Sequence, residues 1–334
     1  MILVTGGTGL VGAHLLYRLC QTQESVRAIY RTPESIEKTK ILFELKNASS
    51  TLFNKIEWVL ADLNDVVRLE QALTSVTLVY HCAALVSFDP KDNKALFQTN
   101  VDGTANLVNL CIAQKIAKLC YVSSIAAIGT PIGSELATEE TEWTQKKSTT
   151  TYALTKFLGE LEIWRASQEG VPVVVVNPGI IFGVGFWSSG SNKFMAHVLT
   201  EPKYYLPGGT GFVTVDDVVN AVTLLMNSTI NNERFILVNK NWTYNKLYEV
   251  LAGAMNKNTP KNELKQWHIS LLWRLDWIRS LFSKKPRLLS KAIATGFKQT
   301  TYYDNSKLQK VTDFKYTKLT NYLEALCKLY LSQY

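Results

Sequence analysis

The sequence predicts an α/β fold, a doubly wound parallel sheet with a smaller, mostly C-terminal lobe. Three observations predict it. In the first half, short apolar runs alternate with amphipathic segments, the rhythm of strand–helix units. Those runs are continuous in Val, Ile and Leu rather than alternating, so both faces of each strand are covered, as in a parallel sheet. A glycine-rich turn directly follows the first run, where such a sheet carries its first ligand loop.

Along the chain, strands are expected at Ile2–Val4, Val26–Tyr30, Ile56–Leu60, Thr77–His81, Lys118–Ser123 and Pro172–Asn177. Helical patterns lie between them at Leu10–Cys20, Ala95–Gln114 and Tyr152–Gln168. After Gly183 the pattern loosens, and Gly185 to Gly211, rich in Gly, Ser and aromatics, reads as irregular structure. Val215–Met226 returns to helix, Arg234–Val238 to strand and Lys246–Met255 to helix. No internal repeat or low-complexity tract is present.

Composition is that of an ordinary globular protein: 334 residues, 46% hydrophobic and 19% charged. No apolar run reaches the ~18 residues a spanning helix needs. The opening Met1-Ile2-Leu3-Val4 runs straight into the turn, so no signal peptide is expected and the location expected is cytoplasmic. The cysteines (Cys20, Cys82, Cys111, Cys120, Cys327) are scattered in apolar surroundings without a CxxC pair, and the four histidines do not cluster; buried thiols and no metal site are expected. The net charge of +8 is concentrated between Lys261 and Thr300, where nine Lys/Arg face Glu263 and Asp276. A remainder close to neutral argues against a nucleic-acid partner.

The turn reads Thr5-Gly6-Gly7-Thr8-Gly9-Leu10-Val11-Gly12. Glycines at 6, 9 and 12 permit a tight turn and close approach of a pyrophosphate. The N–H groups opening the following helix, from Thr8 to Val11, then point at its charge. With a strand before and a helix after, the motif predicts a Rossmann-type dinucleotide site. The second strand ends Val26-Arg27-Ala28-Ile29-Tyr30-Arg31 without a carboxylate for a ribose 2′-hydroxyl. Arg31 instead offers a donor fork for a 2′-phosphate, with Lys38 one or two turns on. NADP(H) is therefore the preferred cofactor, with NAD(H) open. Asp62-Leu63, after the third strand, falls where an adenine amine is held. The expected division is a dinucleotide-binding domain over 1–183, to which 212–240 return, and a substrate-binding lobe of 184–211 and 241–334.

Tyr152 and Lys156 stand four apart, on one face of a helix. A free phenol titrates near ~10, and an adjacent ammonium favours the phenolate. Lys156 also reaches toward a nicotinamide ribose. Ser123 and Ser124 end the fifth strand, where open sheets bind ligands, and a hydroxyl there polarises a carbonyl. Position alone does not choose between the two.

With these motifs in place, the chain resembles the extended short-chain dehydrogenase/reductase superfamily, the NAD(P)-dependent epimerase/dehydratase group. The matching segments are Thr5–Gly12, His81-Cys82-Ala83-Ala84, Asn100-Val101-Asp102-Gly103-Thr104, Tyr121-Val122-Ser123-Ser124, Tyr152–Lys156, Asn177-Pro178-Gly179 and Val213–Asp217. The resemblance selects Ser124, five residues before Gly129, as the catalytic serine. It implies that Ala83, Ala84, Val122 and the stretch Pro178, Gly179 to Ile181 line the cofactor. It adds Asn100 as a support of the neighbouring helix, and a homodimer through the helices near 95–114 and 152–168. Val26–Pro33, Lys38, Lys285-Pro286 and Tyr302–Lys307 look most like dihydroflavonol-4-reductase-like and 3β-hydroxysteroid-dehydrogenase-like members. Thr151 stands where nucleotide-sugar epimerases usually have Pro, Ile125-Ala126 where dehydratases have Asp-Glu, and Leu206–Phe212 carries no cation for a sugar diphosphate.

The expected activity is hydride transfer between NADP(H) and a carbonyl or secondary alcohol on an apolar or aromatic small molecule. Two alternatives stand beside it: a nucleotide-sugar epimerase with tightly held NAD, and a non-catalytic dinucleotide sensor. Residues Gln266 to Ser283, rich in Trp and Leu and followed by Lys284, Lys285 and Arg287, are expected to form a helix packed on the lobe. A lid and a membrane-surface helix are the other readings.

Overall fold

The computed structural model describes residues 1–131, 133, 136–146, 148–282 and 300–333. Strands β1 (Ile2–Thr5), β2 (Val26–Tyr30), β3 (Ile56–Leu60), β4 (Leu78–His81), β5 (Lys118–Val122) and β6 (Val173–Pro178) arise within a residue of where the apolar runs predict them. Beyond them come β7 (Ile180–Phe182), β8 (Tyr204–Tyr205), β9 (Gly209–Thr214), β10 (Glu233–Leu237), β11 (Lys240–Thr243) and β12 (Asn262–Glu263). Seven of these form one sheet in the order β10-β6-β5-β4-β1-β2-β3, with every pairing parallel. Residues of β5 and β6 are buried throughout, as continuous apolar runs require.

The helices lie on both faces of this sheet, a Rossmann-like arrangement. On one, α1 (Leu10–Thr22) contributes Leu15, Leu16 and Leu19 to a core shared with Val4, Val174 and Val222. Pro33–Leu45 (α2), Ser50–Phe53 (α3) and Val66–Ala72 (α4) connect the strands beyond β2. Asp65 caps α4 by accepting the Arg68 N–H. The other face holds Leu107, Val108, Cys111, Ile163 and Ala166 against Leu3, Val79, Leu119 and Val173. Strand order reverses between β1 and β4, so a crevice opens beyond the carboxyl ends of these two strands.

Ala95–Gln114 is not the single helix its periodicity predicts. It divides into α5 (Asn93–Phe97), a π-helical turn over Gln98–Asp102, and α6 (Gly103–Ala113). The cause is local: Asn100 is buried in the wide turn, its side chain engaged by the loop after β4, and apolar spacing carries no trace of that. Residues 185–211 likewise hold more order than predicted, with α8 (Lys193–Leu199), β8 and the start of β9. Met195, Val198, Phe182 and Phe212 pack with Leu247, Leu251 and Leu323 in a separate lobe core, so tertiary burial orders this stretch. A small sheet, β11-β9-β7, lies beside the main one. α9 (Val215–Met226) and α10 (Tyr244–Ala254) begin at the threonine caps Thr214 and Thr243. The basic aromatic stretch is helix α11 (Gln266–Phe282); Lys284, Lys285-Pro286 and Arg287 lie outside the described residues.

Candidate active site

The glycine turn closes over the crevice. Gly6 has φ +70°, and a Cβ there would meet Ala83 N at 2.6 Å. At Gly12 a Cβ would stand 2.2 Å from the Gly6 carbonyl oxygen. The folded chain therefore requires these two glycines. Gly9 differs, because its Cβ would touch nothing nearer than the Gly6 oxygen at 3.4 Å. Gly9 is also the N-cap of α1, with no side-chain acceptor for the helix's first N–H groups and no acidic residue in the first turn. Open space above a glycine, facing uncapped donors at the positive end of a thirteen-residue helix, fits a phosphate. Thr8, Leu10 and Val11 are half-buried around it.

Farther along the crevice, Arg31 extends from the end of β2 and is exposed; its Nη1 lies 3.9 Å from Oδ2 of Asp62, beyond β3. The two predicted contacts of the adenosine end are thus together, with Lys38 exposed on α2. The Leu63 side chain is buried in the core, where a Cβ on Gly103 would strike it at 2.7 Å. Ala83 is half-buried and Ala84 exposed at the end of β4. Val122 and Pro178 end their strands buried, and Ile181 is half-buried on β7. At Gly179 a Cβ would meet the Gly211 oxygen at 2.4 Å, so packing against β9 already demands that glycine.

A chain of hydrogen bonds joins the turn to the helix carrying Tyr152. The Ala83 N–H meets Thr5 Oγ1 at 3.3 Å, and Thr5 Oγ1 lies 2.7 Å from His81 Nδ1. His81 Nε2 lies 3.0 Å from Thr104 Oγ1, whose hydroxyl donates to the Asn100 carbonyl at 2.8 Å. Because Thr104 spends its proton on that carbonyl, it accepts from His81 Nε2–H, and Nδ1 accepts from Thr5. A neutral imidazole satisfies this pattern. Burial, reinforced by the Lys156 charge, holds His81 down at about 3. The Asn100 amide then accepts the Leu85 N–H (2.7 Å) and donates to Leu85 O (3.0 Å) and Thr155 Oγ1 (3.1 Å).

That last bond reaches α7 (Thr151–Gln168). Thr150 caps α7 by accepting the Ala153 N–H at 3.1 Å, which puts Tyr152 in the first turn and Lys156 one turn on. The Tyr152 phenol is under the influence of the Ser124 hydroxyl: burial raises its pKa and Ser124 works against that rise. Its ring meets Phe88 edge-on at 5.7 Å between centroids, and Phe88 is exposed, as is Val86. The two serines are now separated. Ser123 is buried and donates to Glu160 Oε2 at 2.7 Å, whereas Ser124 is half-buried at the phenol. Glu160 also accepts from Asn177 Nδ2 (2.9 Å) and pairs with Arg234 Nη1 (3.1 Å).

Lys156 makes its hydrogen bonds to groups other than the Tyr152 phenol. Its buried Nζ donates to Tyr121 Oη (2.8 Å) and Val122 O (2.9 Å) and sits 4.2 Å from the Tyr121 ring centroid. Burial lowers its pKa to about 7, against the raising effects of Glu160 and then Cys82. Tyr121 was missed in the sequence; a phenol inside an otherwise apolar strand was the available signal, since a buried hydroxyl needs a partner. Glu160, four residues after Lys156 on a buried face, carried a similar signal. Phe88 lies in a loop whose pattern gave none. Beyond Ser124, a cleft of about 200 Å3 is lined by Ala126, Ile128, Trp143, Lys146, Thr150 and Ala153 among others; neither Ser124 nor Tyr152 lines it. Among the described residues no cluster of His, Cys, Asp and Glu fits a metal ion.

Comparison with known proteins agrees with this architecture. A putative dihydroflavonol 4-reductase of Synechocystis sp. is 28% identical over 315 residues, covering 91% of this chain and 87% of that protein. Sterol demethylase protein B of Methylococcus capsulatus is 29% identical over 265 residues, covering 78% and 76%. UDP-glucuronic acid 4-epimerase from Bacillus cereus, solved with UDP-glucuronic acid and NAD, superposes with TM-score 0.76 at 20% identity, covering 100% of this chain and 99% of that one. The family model for the NAD dependent epimerase/dehydratase family matches residues 2–238. The chain belongs to that family, a group of NAD(P)-dependent enzymes of the extended short-chain dehydrogenase/reductase type.

Proposed function

We propose that the protein is an NADP(H)-dependent oxidoreductase that interconverts a carbonyl and a secondary alcohol on an apolar or aromatic small molecule. One observation carries the reading: the Tyr152 phenol, with the Ser124 hydroxyl acting on it, stands beside the exposed Phe88 ring. A carbonyl oxygen seated there receives two hydroxyl donors while its apolar body lies against Phe88 and Val86. In the reductive direction Tyr152 donates its proton to the oxygen, leaving a phenolate that regains a proton from solvent. The first-turn position of Tyr152 on α7 favours that phenolate through the helix dipole. Lys156 would hold the nicotinamide ribose, and Asn100 fixes the turn of α7 on which both side chains depend. The nicotinamide would supply or accept the hydride at the substrate carbon.

Arg31 supports the choice of NADP(H), since its exposed guanidinium replaces the carboxylate that would repel a 2′-phosphate. Its neighbour Asp62 limits that preference without abolishing it. The test is a panel of aryl ketones, steroids and UDP-sugars, each with NADPH or NADH, followed by nicotinamide absorbance. Oxidation of NADPH by an apolar ketone is expected. Conversion of a UDP-sugar with no net change in absorbance would replace this reading with an epimerase. Tyr152→Phe should lose roughly 10²–10⁴ in turnover while NADPH binding persists.

A further inference from the structure

α11 turns its apolar row outward. Trp267, Leu271, Leu275 and Ile278 recur at the spacing that places them on one side of a helix, and they are 62, 50, 51 and 46% exposed. On the other side, Ile269 is buried and Asp276 is turned inward, bonded by Arg279 at 2.7 Å. One side of the helix is thus packed on the lobe, while its apolar row stays outward. Four large apolar side chains in one row, each about half exposed, read as a docking surface.

The charges around the row select its occupant. Lys261 and Lys265 precede the helix and Arg274 projects within it, against Glu263 and the already bonded Asp276. A second copy of this face would bring like charges together, whereas an anionic surface neutralises them. Tryptophan beside Lys and Arg is the chemistry of the headgroup layer. Among the described residues no helix is long and apolar enough to cross a membrane, so α11 would lie in the surface plane.

We propose that α11 docks this protein on an anionic phospholipid surface, with Trp267, Leu271, Leu275 and Ile278 entering the headgroup layer and Lys261, Lys265 and Arg274 meeting lipid phosphates. The surface is independent of the oxidoreductase reading. The test uses the full chain and vesicles of phosphatidylglycerol mixed with phosphatidylcholine, beside pure phosphatidylcholine, in low salt. Co-sedimentation with the anionic vesicles is expected, weakening at least about tenfold for pure phosphatidylcholine, for Trp267→Ser/Ile278→Ser and for Lys261→Glu/Lys265→Glu. All four substituted positions are exposed, and unchanged thermal unfolding of the variants shows that the fold is kept. Failure of the wild type to sediment with anionic vesicles overturns the proposal, as does undiminished binding by both variants. A wild-type dimer that Trp267→Ser/Ile278→Ser converts to monomer also overturns it, by assigning the face to a second copy.

Discussion

Replacing Tyr121 with phenylalanine removes one of the two oxygens that hold the Lys156 ammonium, while the ring beneath Nζ stays in place. The phenol accepts from the charged form, so it favours that form; its loss leaves the ammonium on the Val122 carbonyl alone among these two. Groups facing Lys156 from elsewhere are His81 and Cys82 on and after β4 and Glu160 on α7, and the substitution leaves all three in place. A charge-assisted hydrogen bond inside a protein contributes about 1.5–3 kcal/mol, and each pKa unit corresponds to about 1.4 kcal/mol. Lys156, already lowered to about 7, should therefore titrate about one to two units lower in the variant. The assay is the NADPH dissociation constant against pH, read by quenching of tryptophan fluorescence. If the ammonium holds the ribose, wild-type affinity is level below the break near 7 and falls with rising pH above it. Tyr121→Phe should move the break down, and Lys156→Met should erase it. An unmoved break, or one displaced upward, refutes the reasoning.

Three further outcomes follow from the same geometry. Gly12→Ala should fail to fold stably, because its Cβ would stand 2.2 Å from the Gly6 oxygen, whereas Gly9→Ala, at 3.4 Å, should fold and bind NADPH roughly tenfold or more weaker; thermal unfolding and titration separate the two. Glu160→Gln leaves Arg234 without its buried counter-charge and should cost about 3–5 kcal/mol in urea unfolding. His81 is neutral in the fold down to about 3 but takes up a proton below about 6.5 when unfolded, so the fold loses stability as the pH falls through that window. This one group contributes about 1.4 kcal/mol per pH unit, and His81→Gln should flatten that part of the stability curve; an identical curve in the variant counts against the neutral imidazole.

The sheet was legible because strands covered on both faces leave unbroken apolar runs, and β1 to β6 fall where those runs stand. The placing of the glycine turn at the start of α1, and of Tyr152 and Lys156 one turn apart on α7, was legible for a related reason: each depends on spacing within one element. Less could be read where a side chain acts across the fold. Asn100 widens its helix through a bond to a loop fifteen residues earlier, and Lys156 reaches Tyr121 thirty-five residues before it. Local pattern also could not separate Ser123 from Ser124, since the difference is the buried Glu160 that engages only the first. At Leu63 local pattern gave the position after β3 but not the burial of its side chain in the core. In α11 the apolar spacing was plain, yet a stripe facing outward reads the same as one facing inward.

The pairing of Glu160 with Arg234 has a consequence for how the chain comes together during synthesis. When the ribosome has released everything through Asn177, α7 and the strands on either side of it are already available. Their shared carboxylate nevertheless waits for a guanidinium 74 positions after it, beyond the whole intervening lobe segment. The nascent sheet therefore holds that carboxylate, already bonded by Ser123 and Asn177, without its guanidinium partner until β10 arrives as the last strand of the main sheet. Final closure of the site is coupled in this way to completion of the sheet edge.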